Sequence, residues 1–221
     1  MNFKEIDIFR KPFGKRLLLM LIGVVVMGIG VAILNLTDFG VDPFAAFSYG
    51  MCELTGMSFG TTELVFNGLL LFIVIFFDVK KLGLGTIGNM VVVGYTADFT
   101  TYIMRRLGIT SIDSDILRVV VMLITLAIFI FAVALYVNAG LGGSAYDVLP
   151  YMIHTKLCKL TQRDIKFKFI RIGFDATFTL IAFLLKGEVG VITVLMVIAL
   201  GPTIEYVSKL VNKVLKLDTY N

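Results

Sequence analysis

The two halves of this chain resemble each other, and each half carries an odd number of membrane-length apolar runs. The run Gly83-Leu84-Gly85-Thr86, followed by Gly94 and Asp98, has a counterpart in Gly190-Val191-Ile192-Thr193, followed by Gly201 and Glu205. Upstream, Gly40-Val41-Asp42 answers Gly140-Leu141-Gly142. Three apolar runs lie in the first half, near Leu17–Leu36, Gly60–Phe77 and Leu82–Met104. Three more lie in the second, near Ile116–Tyr136, Ile165–Leu185 and Val189–Val207. Each approaches the roughly 17–25 residues that cross a hydrocarbon core. A copy that begins after three crossings begins on the far side, so the halves must lie upside down relative to each other. The expected fold is all-α and polytopic, with six transmembrane helices as two inverted three-helix repeats, at about 17–104 and about 116–213. Such repeats are a recurring way to build a pathway with two alternating mouths.

Composition places the chain in a membrane on independent grounds. Hydrophobic residues make up 58% and charged residues 16%, against about 45–50% and about 25% in a soluble domain. Mean hydropathy is +0.93. At 221 residues the whole chain reads as a single membrane domain with short cytoplasmic tails at 1–16 and 214–221. The formal charge is +4, but the basic residues flank apolar runs, so the lipid bilayer and its head groups are the expected partner and nucleic acid is not. Sixteen of the twenty basic residues fall on one side if the N-terminus starts inside; only Arg105, Arg106, Arg118 and Lys186 fall on the other. The positive-inside rule then puts both termini in the cytoplasm of a multi-pass protein of the cell membrane. The first run is too long for a cleavable signal peptide and lacks a small-residue cleavage site after Leu36.

Several chemistries have no residues to carry them. Cys52 and Cys158 fall on opposite sides of this topology, and two separated thiols make neither a disulfide framework nor a metal site. His154 is the single histidine and lies near a basic loop. No phosphate-cradling loop, metalloprotease motif or nucleophile elbow is present, so neither an enzyme nor a cofactor is expected.

The segments after the first run of each half are too short to cross and too apolar to be solvated loops. Asp42 before Pro43 reads as a capped helix start, and Gly56 as its stop. The second segment runs from Gly140 to about Leu157, with Ser144 as a cap and Pro150 kinking or dividing the helix. Either these short helices lie flat in the interface as amphipathic connectors, or they dip into the bundle as re-entrant half-helices behind glycine-rich turns.

The order of these motifs resembles that of the YczE/YitT-like bacterial integral membrane proteins. The resemblance is carried by Gly40-Val41-Asp42-Pro43, by Leu54-Thr55-Gly56-Met57-Ser58-Phe59-Gly60-Thr61 and by Leu82-Gly83-Leu84-Gly85-Thr86. In the second half it runs through Gly140-Leu141-Gly142, Asp147, Arg171 with Asp175, Val189-Gly190-Val191 and Gly201-Pro202. It covers nearly everything from the first apolar run to the last and implies a polytopic bacterial inner-membrane protein, with little said of activity. Two departures stand out: Ala45 replaces an acidic residue that the family tends to have, and Ala145 replaces a frequent proline. The halves are therefore expected to differ in role.

Polar residues within apolar runs are expensive in lipid and normally face the bundle interior. Arg171 and Asp175, four apart, either pair on one helix face or leave Arg171 to snorkel toward head groups. Asp98 and Glu205, each four residues after its glycine, either form a symmetric pair or merely cap helix ends. Glu63 and Asn67 share a face, and Asn35 and Asn89 sit in other runs, where interhelical hydrogen bonding explains the asparagines as well as ligand contact does. Tyr49 and Tyr146 stand near the glycine-rich turns, where an organic or cationic ligand would find a ring to stack on. The phenylalanines read mostly as lipid-facing bulk.

The function expected from this layout is a transporter or permease for a small solute, with its pathway at the interface of the repeats. The pathway residues are Asp175, Arg171, Asp98, Glu205, Asp147, Asp42, Tyr49 and Tyr146, with Gly40, Gly140 and Gly142. Unpaired N–H groups at the half-helix starts would meet an anionic or polar group of the solute. Two alternatives stay open: a substrate-binding subunit of a multi-component importer, with an energising partner, and a non-transporting accessory protein. A homodimer suits so small a bundle.

Overall fold

A computed structural model describes residues 12–76 and 82–215, and within them every regular element is helical. The tail residues before 12 and after 215, and Lys80 and Lys81 of the orientation argument, lie outside the described residues. In chain order the helices are α1 (Phe13–Leu36), α2 (Pro43–Thr55), α3 (Phe59–Ile75) and α4 (Leu84–Gly88); then α5 (Gly94–Arg106), α6 (Asp115–Asn138), α7 (Ala145–Thr161), α8 (Phe167–Leu184) and α9 (Val191–Leu215). A π-helical turn, Asn89–Val93, joins α4 to α5 without a break in helical backbone.

The helix ends follow local chemistry. The Asp42 carboxylate accepts from the amides of Phe44 and Ala45, Pro43 fills the first turn, and Gly56 at φ +72° ends α2. Ser144 accepts from the Asp147 amide to start α7. That helix runs through Pro150 to Thr161 without dividing, longer than the segment expected to stop near Leu157.

Length and composition qualify α1, α6 and α9 as membrane-crossing helices, and the α2–α3 pair, bent by 111°, as a fourth if it counts as one span. That is fewer than the six runs expected. The reason is local: α8 carries Lys168, Arg171 and Asp175 within its 18 residues, and the Leu84–Arg106 run is interrupted by the π turn and closes on Arg105 and Arg106. Large apolar side chains such as Leu18, Phe72, Ile116, Leu123, Phe183 and Ile198 stand exposed around the bundle, which suits a surface solvated by lipid.

The central contact is an antiparallel pair, α1 against α6. Gly23 meets Ala132 and Tyr136, and Gly30 meets Phe129, with no room for a side chain at Gly23. The glycines of the first run thus serve packing within one chain. Each of the two helices ends on an arginine from the other. Arg16 near the start of α1 donates to the Ala139 carbonyl after α6 (2.8 Å), and Arg118 near the start of α6 donates to the Thr37 carbonyl after α1 (2.9 Å). A cation on the exposed carbonyls of a helix C-terminus satisfies them and opposes the dipole.

Two backbone crossings share one geometry. The Ile192 amide donates to the Phe39 carbonyl (2.9 Å) and the Gly85 amide to the Leu141 carbonyl (2.8 Å). A Cβ at Gly40, φ +94°, would sit 2.5 Å from the Gly190 nitrogen; one at Gly142, φ +114°, would sit 2.7 Å from the Gly83 nitrogen. Only glycine fits such a turn against such a neighbour. The spatial partner of Gly40 is therefore Gly142 rather than Gly140, so Asp42 corresponds to Ser144. Around this frame α2 packs on α8 and α3 on α7, while α1 packs on α5 and α6 on α9.

Candidate functional site

The first turns of α2 and α7 meet inside the bundle. Phe44 and Tyr146, each the second residue of its helix, bring their ring centroids to 4.8 Å. Phe174 and Phe178 of α8 each lie 5.0 Å from Tyr146, and Phe47 lies 5.0 Å from Phe66. These rings are interior, which corrects the reading of the phenylalanines as lipid-facing bulk. Beside them is a cavity of about 80 Å3. Its polar wall is Asp42, Glu63, Asn67 and Asn89 from the first half and Ser144, Tyr146, Asp147 and Arg171 from the second. Met27, Val31, Phe129, Val133, Leu200 and Ile204 supply apolar surface.

The second-half charges close on one another. Arg171 donates through Nη1 to Asp147 Oδ1 (2.8 Å) and through Nε to Asp175 Oδ2 (2.8 Å). Tyr146 donates its hydroxyl to Asp175 Oδ1 (2.6 Å), and Ser144 donates to Asp147 Oδ2 (2.8 Å). The guanidinium carbon also sits 5.2 Å from the Tyr146 ring centroid. Burial of charge costs several kcal/mol per ion unless partners and extra hydrogen bonds offset it, and here both carboxylates have them. Arg171 is therefore paired and does not snorkel.

The first-half charges lack that closure. Glu63 is 4% exposed and, among the described residues, receives only Asn67 Nδ2 (2.9 Å) and Ser48 Oγ (3.5 Å). Asp42, among the described residues, receives only its own helix amides. Among the described residues no basic side chain pairs with either. Asn67 Oδ1 is buried without a hydrogen-bond partner among the described residues. Asn89, on the π turn, is buried in the same wall.

A second cavity of about 320 Å3 shares Val133, Asp147, Arg171 and Ile204 with the first. It continues between α8 and α9 past Tyr151, Phe167, Lys168 and Glu205. Exposed Phe169, Ile198 and Gly201 bring it to the surface. The corresponding place between α3 and α5 is shut. A Cβ at Gly94 would lie 2.8 Å from Gly60 Cα, and the Gly60 amide donates to Asp98 Oδ2 (2.9 Å). At Gly201, the counterpart of Gly94, a Cβ would meet nothing within 4 Å.

The residues expected to line a pathway divide accordingly. Asp42, Tyr146, Asp147 and Arg171 line the central cavity, and Glu205 lines the wider one, where it pairs with Lys209 (2.8 Å). Asp175 stands behind Arg171 and Tyr146 as their anchor. Asp98 is a latch between α5 and α3 and faces neither cavity. Tyr49 stacks on Phe59 at 4.4 Å, away from both. Gly40 and Gly142 make the two crossings, and Gly140, φ +61°, offers its carbonyl to Arg16. The α2 amides expected to face a solute are already taken: Asp42 accepts from Phe44 and Ala45 through its carboxylate and from Ala46 through its carbonyl. Glu63, Asn67 and Asn89 were missing from the expected set. Their signal was present as an acid and an amide four apart in an apolar run, and an amide at a run's interior.

Known proteins offer relatives without an assigned chemistry. The chain is 26% identical to the uncharacterized membrane protein YczE of Bacillus subtilis over 180 residues, 81% of this chain and 79% of the relative. It is 26% identical to an uncharacterized protein of Haemophilus influenzae over 194 residues, 87% of this chain and 83% of the relative. No solved structure matches it. Residues 14–209 match a family of unknown function (DUF6198), and with the YczE similarity the chain belongs to this family of YczE-like membrane proteins.

Proposed function

We propose that this protein is a small-solute transporter built from two inverted three-span repeats, with its pathway at the repeat interface. The observation that carries the reading is the unequal state of two equivalent seams. The central cavity is walled by both halves; the seam between α8 and α9 is open beside it, and the seam between α3 and α5 is closed by Gly60, Gly94 and Asp98. A scaffold with two equivalent seams, one open and one shut, has the elements of alternating access. The antiparallel α1–α6 pair, the reciprocal arginines and the matched glycine crossings support the inverted relation of the halves. On this reading α2 and α7 are re-entrant half-helices whose starts meet at mid-depth, and the open seam faces the side of the termini, the cytoplasm by the distribution of basic residues.

The test uses matched positions in the two seams. Ala97 on α5 corresponds to Ile204 on α9, and each is placed as a single cysteine in a Cys52→Ser, Cys158→Ser background. A membrane-impermeant maleimide is expected to reach Ile204→Cys from the terminal side and Ala97→Cys from the opposite side. Labelling of both from one side, or of Ala97→Cys from neither, would remove alternating access.

A further inference from the structure

We infer that the central cavity is a site for a compact organic cation that carries N–H donors, an ammonium or guanidinium head. The inference deepens the transporter reading and rests on it.

The charge balance of the wall sets the sign. Asp42, Glu63 and Asp147 line the cavity, Asp175 stands directly behind, and Arg171 is the one basic residue among the lining residues. Two helix N-termini point inward, each equivalent to roughly +0.5 of an elementary charge. Together they offset about one carboxylate, and Arg171 offsets another. The wall keeps an excess of acceptors, concentrated on the Glu63 side, where no basic side chain among the described residues supplies a counter-charge. An anion would find the first amides of α2 already bound to Asp42.

A separate observation points the same way. Asn67 is 2% exposed, lines the cavity, and leaves its Oδ1 without a donor. A buried carbonyl oxygen left unpaired is destabilising because its desolvation goes uncompensated, and it is satisfied by an N–H or O–H donor. Its own amide nitrogen is committed to Glu63. A carboxyl group with no basic partner and a carbonyl with no donor, among the described residues, therefore stand one helical turn apart on α3. A positively charged N–H donor answers both.

Size limits the head and assigns the rest. The central cavity is about 80 Å3, roughly half of the 150 Å3 apolar cavity that holds benzene. It takes an ammonium or guanidinium group and not an aromatic ring. A larger body would extend past Arg171 and Ile204 into the 320 Å3 cavity, beside Tyr151, Phe167 and Phe169.

The experiment is a thermal-shift and calorimetric titration of the purified full chain with guanidinium, methylammonium, tetramethylammonium, acetate and phosphate, as matched salts. Guanidinium and methylammonium are expected to raise the melting temperature in a saturable way. Tetramethylammonium, a cation without N–H donors, is expected to bind at least tenfold more weakly, and the two anions not to bind. Glu63→Gln is expected to weaken guanidinium binding at least tenfold, while Asp113→Asn in the exposed loop before α6 leaves it unchanged. The wild-type ligand series carries the test even if Glu63→Gln unfolds. Equal response to all five ions, or a response to the anions alone, overturns the cation assignment and leaves the pathway intact. Silence to all five overturns it as well; the two-sided labelling of Ala97→Cys and Ile204→Cys then decides separately whether the transporter reading falls with it.

Discussion

Gly94 and Gly201 occupy corresponding places on α5 and α9, and adding one methyl group to each measures the inequality of the two seams. At Gly94 the new Cβ would lie 2.8 Å from Gly60 Cα and 2.9 Å from Glu63 Cβ, with backbone on one side and a buried side chain on the other. Neither neighbour can rotate away, so α3 and α5 must separate. At Gly201 the same atom has nothing within 4 Å. Both substitutions gain about 0.5–1 kcal/mol of helix preference over glycine. That gain cancels when the variants are compared, and what remains is overpacking, about 1–3 kcal/mol. At about 2–4 °C per kcal/mol for a chain of this length, Gly94→Ala is expected to melt at least about 2 °C below Gly201→Ala in the same detergent. Differential scanning fluorimetry on purified protein reads the difference directly. Equal melting temperatures, or a lower one for Gly201→Ala, would refute the claim that one seam is tight and the other loose.

Removal of the Arg171 charge in Arg171→Met leaves Asp147 and Asp175 without their cation and is expected to cost about 3–5 kcal/mol. Adding Asp147→Asn and Asp175→Asn to that variant should recover most of the loss in a denaturation series. Arg118→Gln removes charge-assisted hydrogen bonds to the Thr37 carbonyl and to Asp38, with an expected loss of about 1.5–3 kcal/mol in thermal unfolding. Glu188, in the turn between α8 and α9, has its carboxyl raised above the usual range by partial burial first and by the negative Asp38 and Glu53 second. A raised carboxyl resists ionisation in the folded state, so its effect on stability is most favourable below the ordinary glutamate value and declines as pH rises through the raised one. Melting curves taken upward from about pH 4 should show that decline in the wild type and a flatter profile in Glu188→Gln.

The features legible in the sequence were those fixed within one segment. Asp42 and Ser144 as caps, Gly56 as a stop, and Arg171 with Asp175 on one face all follow from spacing along a single helix. Spacing does not say which helix face turns inward. Phe44 with Phe47 and Phe174 with Phe178 have helical spacing, yet their burial depends on α2 packing against α8, which is a long-range fact. The reciprocal arginines were hidden for a similar reason. Arg16 reads as one of several basic residues beside a membrane run, but it is 4% exposed and bound to the far end of α6. Matching Gly-Leu-Gly to Gly-Val-Asp set Gly40 against Gly140, two residues off. The structure matches role instead, since Asp42 and Ser144 both cap, and Gly40 and Gly142 both hold a positive φ against another glycine.

The match of scaffold and the mismatch of charge point to a division of labour between the halves. The glycine crossings, the caps and the arginine-capped helix ends recur almost unchanged, because they depend on backbone geometry. The polar side chains do not recur: counted from the first residues of α2 and α7 (Pro43, Ala145) and of α3 and α8 (Phe59, Phe167), Ala45 takes the position of Asp147, Glu63 that of Arg171, and Asn67 that of Asp175. The latch differs in the same way. Asp98 holds the backbone amide of Gly60, whereas Lys168 occupies the place of Gly60 on α8 and lines the wider cavity with Glu205. If the seams exchange roles during transport, closing the second would exchange a carboxylate–amide latch for an ion pair between Glu205 and Lys168, drawn from a partly solvated cavity. A latch of opposite charges weakens with salt and a carboxylate on a buried amide does so less. The two closed states therefore cannot keep the same free-energy gap as ionic strength changes. With Lys209→Gln removing the exposed partner that Glu205 holds in the open seam, two-sided labelling of Ala97→Cys and Ile204→Cys should shift toward the terminal side as salt is raised, and a balance that ignores salt in that background would show that Lys168 and Glu205 never meet.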